Sequence, residues 1–197
     1  LLKCNVPCVT AAPGSVFDGD TARELHLMLY ALAHAADHGA LRAALATSLG
    51  GWSFTDLATL AEGGNRWNAT LQRYEELRLQ WRQQGVLAVV LALAREAAAR
   101  RATTAERERL LTDLRHLGEL LQAQEQQLEG AAQLLAWLAQ QRRGEGADVD
   151  ASEERRLRLE SDARRVRLST LHASKGLEFD TVFLPLMWSH LARKQTA

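Results

Sequence analysis

Between residues 170 and 178 the sequence TLHASKGLE gathers hydroxyls at Thr170 and Ser174, an imidazole at His172, an ammonium at Lys175, a glycine at Gly176 and a carboxylate at Glu178. Gly176 permits a positive φ or a close backbone approach, and exposed amides beside Lys175 can meet a phosphate. A carboxylate such as Glu178 accepts hydrogen bonds from sugar hydroxyls. The set suits a nucleotide or a nucleic-acid backbone. Of the 24 basic residues only Lys3, Lys175 and Lys194 are lysines, and one of the three falls in this turn. Spacing alone leaves a plainer alternative open: a solvated loop that closes a β-unit, with Lys175 and Glu178 in water.

The elements that must position this turn flank it directly. Val166 to Leu171 and Thr181 to Pro185 are apolar and rich in β-branched residues, which predicts a strand, a turn and a strand. Open α/β sheets keep their ligand sites at such strand ends. At the other end of the chain, Pro7, Pro13 and Gly14 among Val6, Val9, Thr10 and Val16 predict short strands and turns.

From Asp20 the periodicity becomes helical. Leu25, Met28, Leu29 and Leu32 share a face, and Gly39 is expected to stop that helix. A second helix is read over Ala40 to Ser48, and Ser53 with Asp56 forms the capping box of a third, reaching about Ala61. Asn65 is expected to cap a longer helix with a stripe of Trp67, Leu71, Tyr74, Leu77 or Arg78, and Trp81, ended by Gly85. Val86 to Arg100 reads as a buried helix, and Thr103 with Glu106 caps the next. There Leu110, Leu114, Leu117 and Leu121 form a bundle seam, continued after Gly130 by Leu134, Leu135 and Leu138; Gly118 and Gly130 interrupt it too often for a coiled coil. Arg142 to Ser152 reads as an exposed linker.

Strand-like ends around a helical middle predict a mainly α fold with a small α/β part, in which both termini build one α/β domain and the helices are looped out of it. The missing initiator methionine and the strand-like stretches at both ends read as a piece excised from something longer.

Composition narrows the classes. The 197 residues are 47% hydrophobic, enough for a real core, and 24 acidic residues cancel 24 basic ones, so any binding to nucleic acid must be local. Cys4 and Cys8 are one pair short of a four-cysteine zinc site and fit a reducing cytoplasm. No apolar run approaches the roughly 18 residues of a membrane span. His34 and His38, four apart on a helix, read as a solvated face before a metal site. Arg155, Arg156, Arg158, Arg164, Arg165 and Arg167 make a modest basic patch among acids. Trp52, Trp67, Trp81 and Trp137 read as core, not as base-stacking platforms.

TLHASKGLEF followed by an apolar run resembles motif V of the superfamily 1A DNA helicases, the UvrD, Rep, PcrA and RecB group. The stretches LESD at Leu159 to Asp162, ALATSLGG at Ala44 to Gly51, LRLQWRQQGVLAVVLAL at Leu77 to Leu93, and LTDLRHLGELLQ after them are similar to the RecB branch, the β subunit of exodeoxyribonuclease V. The resemblance implies a helical 2B subdomain inserted in a partial RecA-like, P-loop-NTPase-like motor domain 2A. Residues 1–17 would belong to 2A after motif IV, residues 18–152 to the 2B insertion with its linker at 142–152, and residues 153–197 to the return into 2A.

The same resemblance implies that Glu178, with Gly176 shaping the pocket, contacts the ribose of ATP. Thr170 and His172 would contact single-stranded DNA, with Ser174 and Lys175 at neighbouring motif positions. The parent it implies is a cytoplasmic, ATP- and Mg²⁺-dependent helicase and exodeoxyribonuclease. It would repair and recombine broken duplex ends with RecC-like and RecD-like subunits. The sequence departs from a complete motor: there is no G-x-x-x-x-G-K-[ST], no acidic Walker B pair, no motif VI and no nuclease carboxylate cluster, so no catalytic residue is expected here and the piece alone should not hydrolyse ATP. A non-catalytic helical interaction module and a UvrD-like helicase without a nuclease domain are the alternatives.

Overall fold

The computed structural model describes residues 8–10, 15–59, 64–144, 166–168, 174–176 and 178–184. The chain divides into two compact units, Pro13–Arg165 and a smaller one formed by Leu1–Ala12 with Val166–Ala197. The expected mainly α fold is found. Seven helices are described in the larger unit: α1 (Asp20–Ala33), α2 (His38–Leu45), α3 (Phe54–Thr59), α4 (Asn65–Gln84), α5 (Val86–Ala99), α6 (Thr104–Glu125) and α7 (Gly130–Arg142).

Leucine spacing explains the core of that unit. Leu110, Leu114, Leu117 and Leu121 are buried along α6, against α5 with its buried Val86, Val89, Val90, Leu93 and Ala97. Each such side chain removed from water stabilises the fold by about 1.5–3 kcal/mol. The α5–α6 pair is the most extensive contact among the described elements. Gly118 lies in the middle of it: a Cβ there would stand 2.8 Å from Leu87 Cδ1 and 3.2 Å from Val90 Cγ1. The residue that interrupts the leucine repeat in sequence is the one that lets two helices close on each other. α1 packs on α6, burying Leu25, Met28, Leu29 and Leu32, and also on α2, α4 and α7.

Helix ends show what closes each element. Thr103 and Glu106 form the expected capping box of α6. Ser53 Oγ accepts from the Asp56 amide at 3.1 Å and Asp56 Oδ2 from the Ser53 amide at 2.9 Å, the box expected for α3. Two expectations fail. Asp37 Oδ1 accepts from the Ala40 amide at 2.9 Å and so starts α2 at His38, which places Gly39 inside a helix it was expected to separate from the one before. Asn65 lies within α4, whose N-cap is Gly64 and has no side-chain cap.

The α4–α5 corner turns at Gly85, whose φ of 85° suits only glycine. A glycine N-cap has no side chain to satisfy the first amides of α5, and the last turn of α6 does so instead. Glu125 accepts from the Val86 amide at 2.9 Å and from Trp81 Nε1 at 2.5 Å, and Gln122 accepts from the Leu87 amide at 3.2 Å.

The smaller unit contains β1 (Cys8–Thr10) and β2 (Val166–Leu168), paired in parallel with Cys8 opposite Val166 and Thr10 opposite Leu168. β2 is the start of the strand expected from Val166. The strand expected at Thr181 is not formed over residues 181–184. A strand is held by bonds to a neighbour, and among the described residues β1 and β2 bond only to each other.

Candidate functional site

β2 leads toward the turn Ser174–Gly176. Gly176 has φ 85°, and a Cβ built on it would meet nothing within 4 Å. Glycine is therefore required by backbone conformation and not by crowding. Lys175 and Glu178 are exposed on this turn, and Ser174 is half-buried. The structure thus gathers Ser174, Lys175, Gly176 and Glu178 in one short solvent-facing stretch. Thr170 and His172 lie outside the described residues, as do Arg155 to Arg165. What the described part offers chemically is an ammonium, a carboxylate and a backbone turned by a positive-φ glycine, a group able to meet a polyanion and a sugar hydroxyl.

Apolar side chains beside the turn are unusually open. Phe179, Val182, Phe183 and Leu184 are all exposed, Phe183 to 82%. Val182, Phe183 and Leu184 belong to the apolar run expected to form a strand, and no sheet lies over them among the described residues.

The helical unit offers a second set of polar groups. Trp81 is buried, as expected, while Trp52, Trp67 and Trp137 are half-buried against the core. Two of these rings carry an arginine on a face, which periodicity did not reveal: Arg66 lies 4.1 Å from the Trp52 ring centre and Arg42 5.8 Å from that of Trp67. Arg66 also bonds Asp56, and that bond, with the Ser53 hydrogen bonds, holds the Asp56 carboxyl down at about 2. Arg73 Nη2 is bound to Glu96 at 2.5 Å.

His34 and His38 do not share a helix, contrary to the expectation from their spacing. α1 ends at Ala33 and α2 begins at His38. His34 stacks on Tyr30, and His38 meets the edge of Trp67. Among the described residues no group of three or more His, Cys, Asp or Glu is placed to hold a metal ion, and no helix is long and apolar enough to cross a membrane.

Comparison with known proteins gives this geometry a setting. Residues 62–190 match the UvrD-like helicase C-terminal domain, a span that takes in α4 to α7, β2 and the Ser174–Gly176 turn. The chain is 37% identical over 183 residues to the RecBCD enzyme subunit RecB of Escherichia coli (strain K12), covering 92% of this chain and 15% of that protein. It is 35% identical over 175 residues to the RecB subunit of Haemophilus influenzae, covering 88% and 14%. With that of Mycolicibacterium smegmatis it shares 33% identity over 195 residues, covering 96% and 17%. The chain therefore spans about a sixth or less of the length of these curated relatives. A match over well over half of its residues shows that the chain belongs to the UvrD-like helicase C-terminal domain family.

Proposed function

We propose that this chain is part of a RecB-like subunit of an exodeoxyribonuclease V complex, in which it forms the helical 2B insertion and one piece of motor domain 2A. The observation that carries the reading is the coincidence of the HASKGLEF turn with a family match that runs through it and RecB similarity over nearly all of the chain. In this reading the smaller unit belongs to the RecA-like domain and the larger unit is the insertion. The parent uses ATP and Mg²⁺ to unwind and degrade broken duplex ends in the cytoplasm, with RecC-like and RecD-like subunits.

Each residue of the turn then has a task. Glu178 accepts hydrogen bonds from the ATP ribose, and Gly176 gives the backbone room beside it. Thr170 and His172 contact the single-stranded DNA backbone, with Ser174 and Lys175 adjoining. One short segment touches both fuel and track, so closure of the motor on ATP is felt at the DNA strand. The phosphates and Mg²⁺ are held by other parts of the parent, because this sequence has no Walker A loop.

The test is to substitute Glu178→Ala or His172→Ala in the parent subunit and to measure DNA-stimulated ATP hydrolysis and unwinding. Loss of charged hydrogen bonds worth about 1.5–3 kcal/mol lowers kcat/KM for ATP by roughly 10- to 100-fold in the Glu178 variant. The His172 variant loses unwinding more than hydrolysis. Wild-type rates in both variants would remove the assignment.

A further inference from the structure

A side-chain bond joins α1 to the far end of α7. Arg142, the last residue of α7, places its Nη1 3.0 Å from Nδ1 of His26 on α1, across 116 positions of sequence. Both side chains are half-buried. A guanidinium stays protonated and offers only N–H groups, so it bonds a ring nitrogen only where that nitrogen keeps its lone pair. The contact therefore fixes the tautomer: His26 is neutral, with its proton on Nε2.

His34, just past the end of the same helix, shows the contrast. Its Nδ1 lies 2.9 Å from the Tyr30 carbonyl, which can only accept, so Nδ1 keeps its proton whether the ring is neutral or charged. Protonation costs His34 nothing. At His26 the added proton goes to Nδ1, the atom that faces Arg142. It turns the acceptor into a donor, sets two cations against each other in a half-buried place and removes the bond.

The surrounding charges do not offset this. Among the described residues Arg142 is the charged group that acts on the ring, and α2, α4 and α6, which also pack on α1, supply no charge that shifts it. On α1 itself Arg23 is paired with Asp20 at 3.0 Å, and Glu24 accepts from Ser48 Oγ and the Leu49 amide. In the short turn Val16–Asp18 before α1, Asp18 accepts from the Ser15 amide at 3.0 Å.

The backbone bonds of the last turn of α7 close on α7 itself. The Arg143 amide donates to the Ala139 and Gln140 carbonyls and the Gly144 amide to that of Gln141, after which Gly144 turns the chain with φ 72°. The Arg142 side chain adds a directed bond from this turn to another helix. We propose that His26 and Arg142 form a proton-sensitive latch, which pins the C-terminal end of α7 to α1 while the imidazole is neutral and frees it when the imidazole takes up a proton.

The experiment follows hydrogen exchange of the parent subunit at residues 139–144 and, as reference, at 86–97 and 110–121, at about pH 8 and about pH 5, corrected for the intrinsic effect of pH on exchange. The freed end carries an ordinary histidine, so each pH unit below its ordinary 6.5 favours opening by up to roughly tenfold until the latched form is itself protonated. Exchange at 139–144 in the wild type is expected to quicken by roughly 3- to 30-fold at the lower pH, with the reference helices unchanged. His26→Gln, whose Oε1 still accepts from Arg142 but binds no proton, stays slow at both. Arg142→Glu inverts the response, because a carboxylate holds the charged ring better than the neutral one. Equal exchange at the two pH values in the wild type would overturn the proposal. So would an acid response that persists in His26→Gln, which puts the proton on another group, or one shared by the reference helices, which makes it general unfolding. None of these readings depends on the ATP and DNA roles proposed for the turn.

Discussion

Residues 110–121 and residues 179–184 are both rich in large apolar side chains, yet they end in opposite surroundings. Leu114, Leu117 and Leu121 are fully buried, while Phe179, Val182, Phe183 and Leu184 face solvent. A helix closes its backbone bonds within itself and needs only one packing face, which α5 provides to α6. A strand of a parallel sheet needs bonded neighbours on its edges and packing on its faces. The helical unit therefore meets its own requirements, whereas in the turn-bearing unit Val182, Phe183 and Leu184 are exposed and, among the described residues, its two three-residue strands bond only to each other.

The contrast breaks most readily at the α6 seam. Leu117→Ala is expected to cost the helical unit about 2–5 kcal/mol, read by urea titration of its far-ultraviolet circular dichroism. An unchanged midpoint would mean that the seam does not hold the bundle. Next comes the clamp at the α4–α5 corner. Glu125→Ala leaves the Val86 amide and Trp81 Nε1 without their acceptor and is expected to cost about 1–3 kcal/mol, whereas Glu125→Gln retains one acceptor oxygen and loses less.

The turn-bearing unit should respond separately. Gly176→Ala forces a side chain into the positive-φ region and costs the turn about 1 kcal/mol. Hydrogen exchange is expected to quicken at residues 174–178, with the urea midpoint of the helices unmoved. A shift of that midpoint would show that the two regions are not independent.

The smallest effect is a dependence on pH. Burial, aided by the Arg142 guanidinium 3.0 Å from its Nδ1, holds His26 below its ordinary 6.5. The unfolded chain then takes up a proton before the folded one does. Stability is full above about pH 6.5 and declines as the pH falls below it. Urea titrations at neutral and mildly acidic pH should show a decline that shrinks in His26→Gln.

The helices were legible because a buried face repeats every three to four residues, and the capping boxes at Ser53 and Thr103 because their partners are three residues apart. Gly39 misled because Asp37, two residues earlier, is the stronger start signal and carries the chain straight into α2. The Glu125 clamp was not legible, since its partner Val86 lies 39 residues away and only packing brings them together. The strand expected at Thr181 rests on an apolar, β-branched run, and such a run calls for burial but supplies no neighbouring strand to bond it. At the candidate site the residue types and the special glycine were readable. The positive φ of Gly176 agrees with the conformational freedom expected of it, whereas the roles proposed for Glu178 and His172 depend on groups beyond this sequence.

The central claim is that Glu178 reads the ribose of ATP. The most direct measurement compares ATP with 2′,3′-dideoxy-ATP in DNA-stimulated hydrolysis by the parent subunit, wild type against Glu178→Ala. The account predicts that the wild type prefers ATP by roughly 10- to 100-fold, the worth of charged hydrogen bonds to the ribose hydroxyls, and that the variant treats the two nucleotides nearly alike. An equal preference for ATP in both proteins would contradict it.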